Sequence, residues 1–418
     1  MSDSTTPPRA GLAPAFVVVL LAAAGTFALT MGARQSMGLF LNTLNTHTGL
    51  GLASISLAFA VGQLWWGLTQ PLAGIVADRV GAGRVLLTGL VLVAIGTALI
   101  PYMTSTWGLI LAIGVLAAGG AGLAGPAVLM AATTRLVPAH KRGMAAGVVN
   151  AGGSFGQFVF APIAQGITAA AGWMVALQSL AAFTLLALPA AWVLRTRAAA
   201  PGASGTTAAP PRQGLRATFA QALALPSYRL LCAGFFVCGF HVAFIATHLP
   251  GVVAACQLPP EIGAWSLAVI GLFNIVGSLT IGWAIGYQGG RWRMKSLLSL
   301  IYAARALAVL VFVFAPKTPT TMLVFAAVIG FTYLSTVPPT AGLVARFFGP
   351  SQMATLFGVV MLSHQLGGFL GAWLGGKAFE WTGSYDWMWW ADIVLAIGAA
   401  LVHLPIDERP APAAAQAA

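Results

Sequence analysis

The segment Gly62–Arg84 reads GQLWWGLTQPLAGIVADRVGAGR and joins the end of a long apolar stretch to a short charged turn. An apolar stretch of this length can cross a bilayer as a helix, and Pro71 within it is expected to bend that helix. The turn then carries the charged residues Asp78, Arg79 and Arg84. The segment therefore predicts a membrane helix that ends in a charged turn at the membrane surface.

The composition of the chain is typical of a membrane protein. Of its 418 residues, 59% are hydrophobic and only 7% are charged, whereas an ordinary soluble domain has about 25% charged residues. Apolar runs of about 20 residues recur along the chain, and each is long enough to cross a hydrocarbon core of about 30 Å as a helix. The runs lack the sustained two-residue alternation of a membrane β-barrel. We therefore expect an all-α membrane protein.

The apolar runs predict twelve transmembrane helices in two pseudo-symmetric halves. A stretch rich in Ala, Pro, Gly and Ser at residues 196–225 predicts a cytoplasmic linker between an N-terminal six-helix half, residues 1–195, and a C-terminal six-helix half, residues 226–418. The predicted spans lie at about residues 12–42, 51–76, 84–103, 107–133, 143–169, 173–194, 227–254, 262–286, 295–315, 320–343, 352–376 and 386–405.

Positive charges are distributed unevenly between the two sets of loops. Most of the 20 Lys and Arg residues fall in loops, tails and helix ends on the side of both termini, whereas the opposite loops carry only Lys317 and Lys377. By the positive-inside rule, both termini are expected in the cytoplasm of a bacterial-type inner membrane. This topology accounts for the net charge of +12 without any nucleic-acid partner, so the lipid bilayer is the expected surrounding.

The two predicted halves share a sequence pattern. Residues of one half recur in the other at a constant offset of 211 positions, as from Arg135 to Arg346. Such a duplication is expected of a two-half transporter whose substrate site lies at the midplane interface. The residues that recur are Arg135, Gly147-Val148-Val149 and Gly156, which match Arg346, Gly358-Val359-Val360 and Gly367.

The charged turn resembles the cytoplasmic loop signature of the major facilitator superfamily, Gly-x-x-x-Asp-Arg/Lys-x-Gly-Arg-Arg/Lys. Gly74, Asp78, Arg79, Gly81 and Arg84 match this signature. The resemblance implies a fold of two six-helix halves and transport by alternating access. It also implies a gating role for Asp78, Arg79 and Arg84, because an acid at a helix end can pair with a neighbouring base in one conformation only. A solvated turn whose charges merely follow the topology is the alternative.

Within the superfamily, the chain is most similar to the monocarboxylate transporter group and its bacterial relatives, including the oxalate/formate antiporters. Arg34, followed six residues later by Phe40, matches the place where animal members carry a lysine that receives the carboxylate. The Asp and Arg that animal members carry in helix eight correspond here to Asn274 and Ser278. The resemblance thus implies carboxylate binding at Arg34, without the second basic residue of those relatives.

Arg34 lies within the first predicted span and is the leading candidate for substrate binding. A guanidinium stays charged and costs about 2.5–3.5 kcal/mol at membrane depth on insertion scales, so it is expected to face a partner or a wet cavity. The spans that the resemblance assigns to the cavity contain no Asp or Glu. A cation without an acid to neutralise it predicts an anion site. The alternative is that Arg34 reaches the outer membrane surface.

Other polar side chains of the cavity spans are further candidates for substrate contact. His364 and His241 are interpreted either as proton carriers or anion ligands, or as groups that only hydrogen-bond one helix to another. The weaker candidates, which belong to residue types that often serve only to join membrane helices, are Asn274, Tyr333, Gln70 and Asn150.

Arg305 and Asp392 lie in predicted spans nine and twelve, outside the cavity set. At a rise of about 1.5 Å per residue, their depths in the membrane differ by roughly 6 Å, which long side chains can bridge. We therefore predict a structural ion pair between them at the back of the C-terminal half.

The sequence as a whole predicts a secondary transporter of small organic anions, most simply monocarboxylates, that acts as a monomer without a cofactor. Coupling to protons and the direction of transport stay open. The alternative is a proton-coupled exporter of drugs or metabolites, but cationic cargo usually needs a carboxylate in the cavity spans. An enzyme is not expected, because the chain has neither an HExxH nor a Gly-x-Ser-x-Gly motif.

Overall fold

The computed structural model describes residues 14–138, 141–195, 215–286 and 292–410, most of which are helical. Short 3₁₀ turns at Met37–Phe40 and Ile100–Tyr102, and a π-helical segment at Ile110–Ala117, extend neighbouring helices. The α-helices, numbered in chain order, are α1 (Pro14–Gln35), α2 (Leu41–Thr48), α3 (Leu52–Val80), α4 (Ala82–Leu99), α5 (Thr106–Leu109), α6 (Ala118–Leu123), α7 (Pro126–Leu136), α8 (Arg142–Ala171), α9 (Trp173–Leu185), α10 (Leu188–Val193), α11 (Leu215–Ala224), α12 (Pro226–Ala255), α13 (Pro260–Gly286), α14 (Met294–Phe314), α15 (Pro319–Thr332), α16 (Val337–Phe348), α17 (Pro350–Thr382) and α18 (Asp386–His403).

Ten helical segments of the described residues are long and apolar enough to cross a membrane. Some combine consecutive helices, so that the first continues from Phe16 through α1 and α2 to Thr48. The long helices α8 and α18 are not among the ten, but they occupy the positions of the fifth and twelfth predicted spans. The all-α membrane architecture is thus confirmed, whereas the count of twelve spans stays a prediction.

The predicted linker, residues 196–225, falls partly outside the described residues, because residues 196–214 are not described. Its remaining part forms the short helix α11, which ends directly before α12 begins at Pro226. The division of the chain into two halves at this segment stays a prediction.

The charged turn that follows α3 consists of a single residue between two helices. α3 continues through Pro71 to Val80, and α4 begins at Ala82. Gly81, between them, has a φ of 92°, a backbone conformation that side chains with a Cβ rarely adopt. The glycine of the loop signature therefore allows the chain to reverse between two antiparallel helices within one residue.

One glycine-rich helix pair holds each half together. α1 packs on α8, and α12 packs on α17. A Cβ added at Gly156 of α8 would meet the carbonyl oxygen of Ala28 in α1, and one added at Gly367 of α17 would meet the carbonyl oxygen of Phe236 in α12. The repeated glycines therefore have the same role in both halves, since each lets two backbones approach closely.

Two further helix pairs join the halves, α3 with α17 and α8 with α13. Near the middle of the first pair, a Cβ on Gly67 would meet the side chain of Gln365. Near the middle of the second, a Cβ on Gly271 would lie 2.8 Å from the carbonyl oxygen of Ser154. The halves are therefore in direct contact at mid-height.

The halves separate towards the end of the bundle that carries the charged turn and both ends of the described chain, which we call the terminal end. Glycines two or three helical turns closer to this end lie on the same helix faces as the mid-height contacts. A Cβ added to any of these glycines would meet no atom within 4 Å. The glycines are Gly74, Gly147, Gly282 and Gly358. A cleft between the halves thus opens at the terminal end.

The halves meet closely at the opposite end, which we call the far end. A Cβ on Gly38, just after α1, would meet the carbonyl oxygen of Ala246 in α12. A Cβ on Gly376 of α17 would meet the Ser56 side chain of α3. The structure is therefore closed at the far end and open at the terminal end.

The largest buried cluster of the molecule surrounds α12. Compared over one apolar stretch of 18 residues in each of the ten candidate spans, Pro226–Ala255 is the most buried, at 78% of that stretch. Polar residues on α12 therefore contact other helices of the protein rather than lipid.

Each half has an ion pair at the terminal end, but the acidic residue comes from a different part of the chain in each. In the N-terminal half, Asp78 of the charged turn pairs with Arg135 at the end of α7, at 2.5 Å. In the C-terminal half, Glu408 after α18 lies 3.4 Å from Arg346 and accepts a 2.8 Å hydrogen bond from the backbone N–H of Lys295. The tail thus supplies the second half with an acid and caps the first turn of α14.

The close packing at the repeated glycines can be tested by substitution. We expect Gly156→Val and Gly367→Val each to destabilise the protein by about 1–3 kcal/mol, because the added side chain meets a backbone carbonyl that cannot move aside. Thermal unfolding in detergent measures this effect. Gly147→Ala and Gly358→Ala are matched controls, since their Cβ atoms meet no neighbour. Equal losses in all four variants would contradict the packing described here.

Candidate functional site

Arg34 lies at the end of α1, beside the 3₁₀ turn that closes the far end. Its guanidinium donates a hydrogen bond to the amide oxygen of Gln63 in α3 and lies 4.7 Å from the ring centre of Trp66. Both partners are neutral, so they orient the positive charge without cancelling it. The side chain is thus directed towards α3, inside the bundle.

A cavity with about 50 Å³ open to water-sized molecules adjoins Arg34. Residues from α1, α3, α4, α6 and the π-helical segment line it, together with Ala246 and Thr247 of α12. The lining is mostly apolar, and none of the described residues in it is Asp or Glu. Gly38 and Ala246, which close the far end, also form part of the wall. Among the described residues that line the cavity, Arg34 is therefore the one that carries a charge.

A break between α15 and α16 brings a second group of predicted residues together. The break comprises Tyr333 to Thr336, and Pro338 and Pro339 follow it in the first turn of α16. Proline lacks an N–H and disfavours a helical conformation in the residue before it, which explains why α15 does not continue into α16. The break leaves backbone groups inside the membrane region that other helices must satisfy.

Three side chains satisfy the backbone at the break or anchor it. The Arg305 guanidinium donates to the carbonyl oxygens of Thr332 and Tyr333, the second at 3.1 Å. The Asn274 amide oxygen accepts from the N–H of Leu334 at 3.0 Å. The Tyr333 hydroxyl donates to a carbonyl of α12 at 2.9 Å. The break is therefore a fixed element of the structure.

The predicted residues Tyr333 and Asn274 connect this break to the N-terminal half. The Tyr333 side chain faces Arg34 and Gln35. The Asn274 amide nitrogen donates a 2.8 Å hydrogen bond to the hydroxyl of Ser154 in α8. Ser154 is a contact that sequence reasoning missed, because a single serine in a membrane helix has no distinguishing pattern. Only its position opposite an asparagine reveals its role.

The remaining predicted polar residues lie apart from Arg34. The Gln70 side chain donates to the carbonyl of Trp66 in its own helix at 3.3 Å. Asn150 is exposed on α8, one turn from Ser154. His364 is only 8% exposed, and its ring lies 4.9 Å from that of Phe235 between α17 and α12. The structure thus groups Arg34 with Gln63, Trp66 and Tyr333, and separates His364 from them.

The predicted ion pair between Arg305 and Asp392 is not direct. His241 lies between the two residues, with Nδ1 3.4 Å from Arg305 Nη1 and Nε2 3.4 Å from Asp392 Oδ1. All three residues are buried, at 1%, 0% and 1% exposure for Arg305, Asp392 and His241. The two charges thus belong to one cluster, but the side chain of His241 on α12 lies between Arg305 on α14 and Asp392 on α18.

His241 therefore also corrects a sequence prediction. It was a candidate for substrate contact, but it does not line the cavity beside Arg34. Because α12 is so buried, the His241 side chain meets Arg305 of α14 and Asp392 of α18 instead. His241 is a member of the buried cluster that it forms with Arg305 and Asp392.

The family model described as the Major Facilitator Superfamily matches residues 19–304 and 261–418. The chain belongs to this superfamily. Its charged turn, its internal duplication and its two glycine-packed halves are therefore features of a transporter fold, and the protein is a multi-pass membrane transporter.

Several known proteins of the superfamily resemble the chain over most of its length. Monocarboxylate transporter 13 of Rattus norvegicus is 26% identical, covering 92% of this chain and 86% of the relative. The MFS-type transporter YcxA of Bacillus subtilis (strain 168) is 23% identical, covering 86% and 87%. The solved structure of a bacterial homolog of the human lysosomal transporter Spinster, described as inward-facing and unoccupied, matches with a TM-score of 0.78 at 16% identity, covering 94% and 97%.

The buried cluster of Arg305, His241 and Asp392 leads to a prediction about the stability of the protein. Arg305→Ala leaves Asp392 without its nearby cation and leaves two backbone carbonyls at the break without a donor, so we expect a loss of about 3–5 kcal/mol or failure to accumulate. Adding Asp392→Ala should restore part of the loss, because the unpaired acid is then gone. Thermal stability in detergent measures both variants. The absence of any rescue would show that Asp392 does not depend on Arg305.

Proposed function

We propose that the protein transports small organic anions, most simply monocarboxylates, by alternating access. The observation that carries this proposal is the Arg34 guanidinium beside a cavity with no described acid in its lining. A permanent cation in a region of low dielectric attracts an anion strongly, and its neutral partners Gln63 and Trp66 leave it free to do so. An organic cation would be repelled there.

The dimensions and lining of the cavity favour a small substrate with one carboxylate. The carboxylate would pair with Arg34, and the Tyr333 side chain faces the same guanidinium. The mostly apolar wall suits a short hydrocarbon body, because burying it needs no further polar partners. The names of the mammalian relatives, monocarboxylate transporters at about a quarter identity, support the same substrate class.

The two ends of the bundle support a transport cycle in which the halves rock around the cavity. In the present state the contact between Gly38 and Ala246 separates the cavity from the far end, while the cleft is open at the terminal end. We assign the terminal end to the cytoplasm of a bacterial-type inner membrane, because the basic residues concentrate there. The present state is then the one that faces inward.

The charged turn is assigned a gating role in this cycle. Asp78 and Arg135 pair at the terminal end, with Arg79 and Arg84 exposed beside them. An ion pair there stabilises whichever arrangement of α3 and α7 brings its partners together. A change between conformations that separates the helices must break it.

The exporter of cationic drugs has less support than the anion transporter. Such cargo needs an acid that faces the cavity. Asp392 lies in a long apolar helix, but it is fully buried behind α12 and not beside Arg34.

The anion site is tested by removing its charge. We expect Arg34→Gln to abolish saturable uptake of radiolabelled acetate, propionate, lactate and pyruvate into proteoliposomes, because the carboxylate loses the one cation that the described lining of the cavity provides. Arg229→Gln, which removes an exposed charge from the terminal end of α12, is the matched control and should transport normally. Detergent thermal stability confirms folding of both variants. Wild-type uptake by Arg34→Gln, or no uptake of any of these anions by the wild type, would refute the proposed site.

The gating role is tested at Asp78. We expect Asp78→Asn to slow uptake while leaving the affinity for the anion unchanged, because the pair lies far from Arg34. The exchange of charges in Asp78→Arg with Arg135→Asp should restore part of the rate if the pair itself matters. Transport kinetics and binding measured on the same preparations separate the two effects. An unchanged rate in Asp78→Asn would leave the turn with a purely topological role.

A further inference from the structure

Asp392 is a carboxylate in a membrane helix whose hydrogen-bonding capacity is not used. It is completely buried, and neither of its side-chain oxygens receives a hydrogen bond from any residue that the structure describes. His241 Nε2 lies 3.4 Å from Oδ1 but outside hydrogen-bond geometry. A buried carboxylate that serves only structure is normally surrounded by donors. Asp392 instead keeps a free oxygen, Oδ2.

The partners of His241 determine which group of the cluster can take up a proton. A guanidinium has only donors, so Arg305 Nη1, at 3.4 Å, faces a His241 Nδ1 that must be the acceptor. The hydrogen of the neutral ring is therefore on Nε2, which faces Asp392. A second proton on the ring would place two donors opposite each other at Nδ1. The open acceptor of the cluster is thus the Asp392 carboxylate.

We propose that Asp392 binds the proton that is carried together with each monovalent anion. This inference rests on the proposed function and adds the coupling ion and its site. In the ionised form, Asp392 balances the charge of Arg305. When Oδ2 accepts a proton, the carboxylic acid is neutral and the cluster carries the whole positive charge of Arg305. The proton leaves from the same oxygen, so the carboxylate is restored in each cycle.

The break between α15 and α16 connects the protonation of Asp392 to the anion site. Arg305 holds the carbonyls of Thr332 and Tyr333, and the side chain of Tyr333 faces Arg34. A net positive charge at Arg305 therefore acts on the element that lies opposite the bound anion. The positive charge at Arg305 attracts the bound anion, so protonation of Asp392 and anion binding at Arg34 should each make the other more favourable. The loaded protein then carries one proton and one negative charge, and transport is electrically neutral.

The three helices that pack on α18, which are α12, α14 and α17, carry further titratable or charged groups of the same region. His241 and the Cys238 thiol are on α12, Arg305 and Tyr302 are on α14, and His364 is on α17. The Cys238 thiol interacts with both Arg305 and His364, which links the cluster to a second buried histidine. On α18 itself, His403 stacks on Tyr302 and uses Nδ1 on the carbonyl of Ala399 at 2.7 Å. Of these groups, only His241 is within ion-pair distance of Asp392.

The experiment compares proton-driven uptake with exchange, using the radiolabelled monocarboxylate that gives the largest Arg34-dependent uptake. An outside-acid gradient of about one pH unit should raise the initial uptake rate of the wild type by up to about tenfold. Asp392→Asn imitates the protonated form permanently, so it should lose this response but keep anion counterflow between equal concentrations. His403→Gln, a buried histidine on the same helix, is the matched control and should respond like the wild type. Arg34→Gln corrects for diffusion of the undissociated acid.

The outcomes distinguish this inference from the proposed function. If Asp392→Asn still responds to the gradient like the wild type, the inference is overturned, although anion transport itself stands. If that variant does not fold, a pH dye trapped in wild-type proteoliposomes measures whether protons enter together with the anion. Arg34-dependent acidification of the lumen during anion entry, unchanged by an imposed membrane potential, supports the inference. Anion entry without such acidification overturns it, and absence of counterflow in the wild type refutes the proposed function instead.

Discussion

An arginine inside a membrane must be compensated, and the two arginines at depth in this protein are compensated differently. Arg305 has a buried acid within its cluster and backbone carbonyls as acceptors. Among the described residues, Arg34 has neutral neighbours, which are the amide of Gln63, the ring of Trp66 and the side chain of Tyr333. The first arrangement is nearly neutral within the protein, whereas the second has no acid among the described residues that line its cavity. In the function that we propose, the substrate anion balances the charge of Arg34, and the Arg305 cluster holds the C-terminal half together.

The break between α15 and α16 connects the Arg305 cluster to the surroundings of Arg34. Its backbone groups are held by Arg305 on one side and by Asn274 on another, and Asn274 also bonds to Ser154 across the interface between the halves. Tyr333, within the interruption, faces Arg34. Membrane transporters commonly use such discontinuous helices at their sites, because free backbone groups inside the bilayer can be directed at partners. A movement at the break would therefore be transmitted to both arginines.

Much of the fold and part of the site followed from the sequence. Hydrophobic spacing predicted the helices, and the repeat from Gly156 to Gly367 predicted two halves packed in the same way, because a missing side chain has the same consequence in each. Arg34 was predictable because a charge in an apolar span is conspicuous. The insertion of His241 between Arg305 and Asp392 was not, since residue depth contains no information about which helix lies between two others. The tenth-span break was also missed, although Pro338 and Pro339 marked it.

In the C-terminal half, the acid that forms the ion pair at the terminal end is Glu408, in the segment that follows α18. Glu408 caps α14 and approaches Arg346, the counterpart of Arg135 in the repeat. A chimera that exchanges C-terminal halves between relatives must therefore keep each half together with the segment that follows its last helix. An affinity tag or fluorescent fusion is best attached after residue 410, since shortening the chain before Glu408 would remove the contacts of this acid with Arg346 and with the backbone of Lys295.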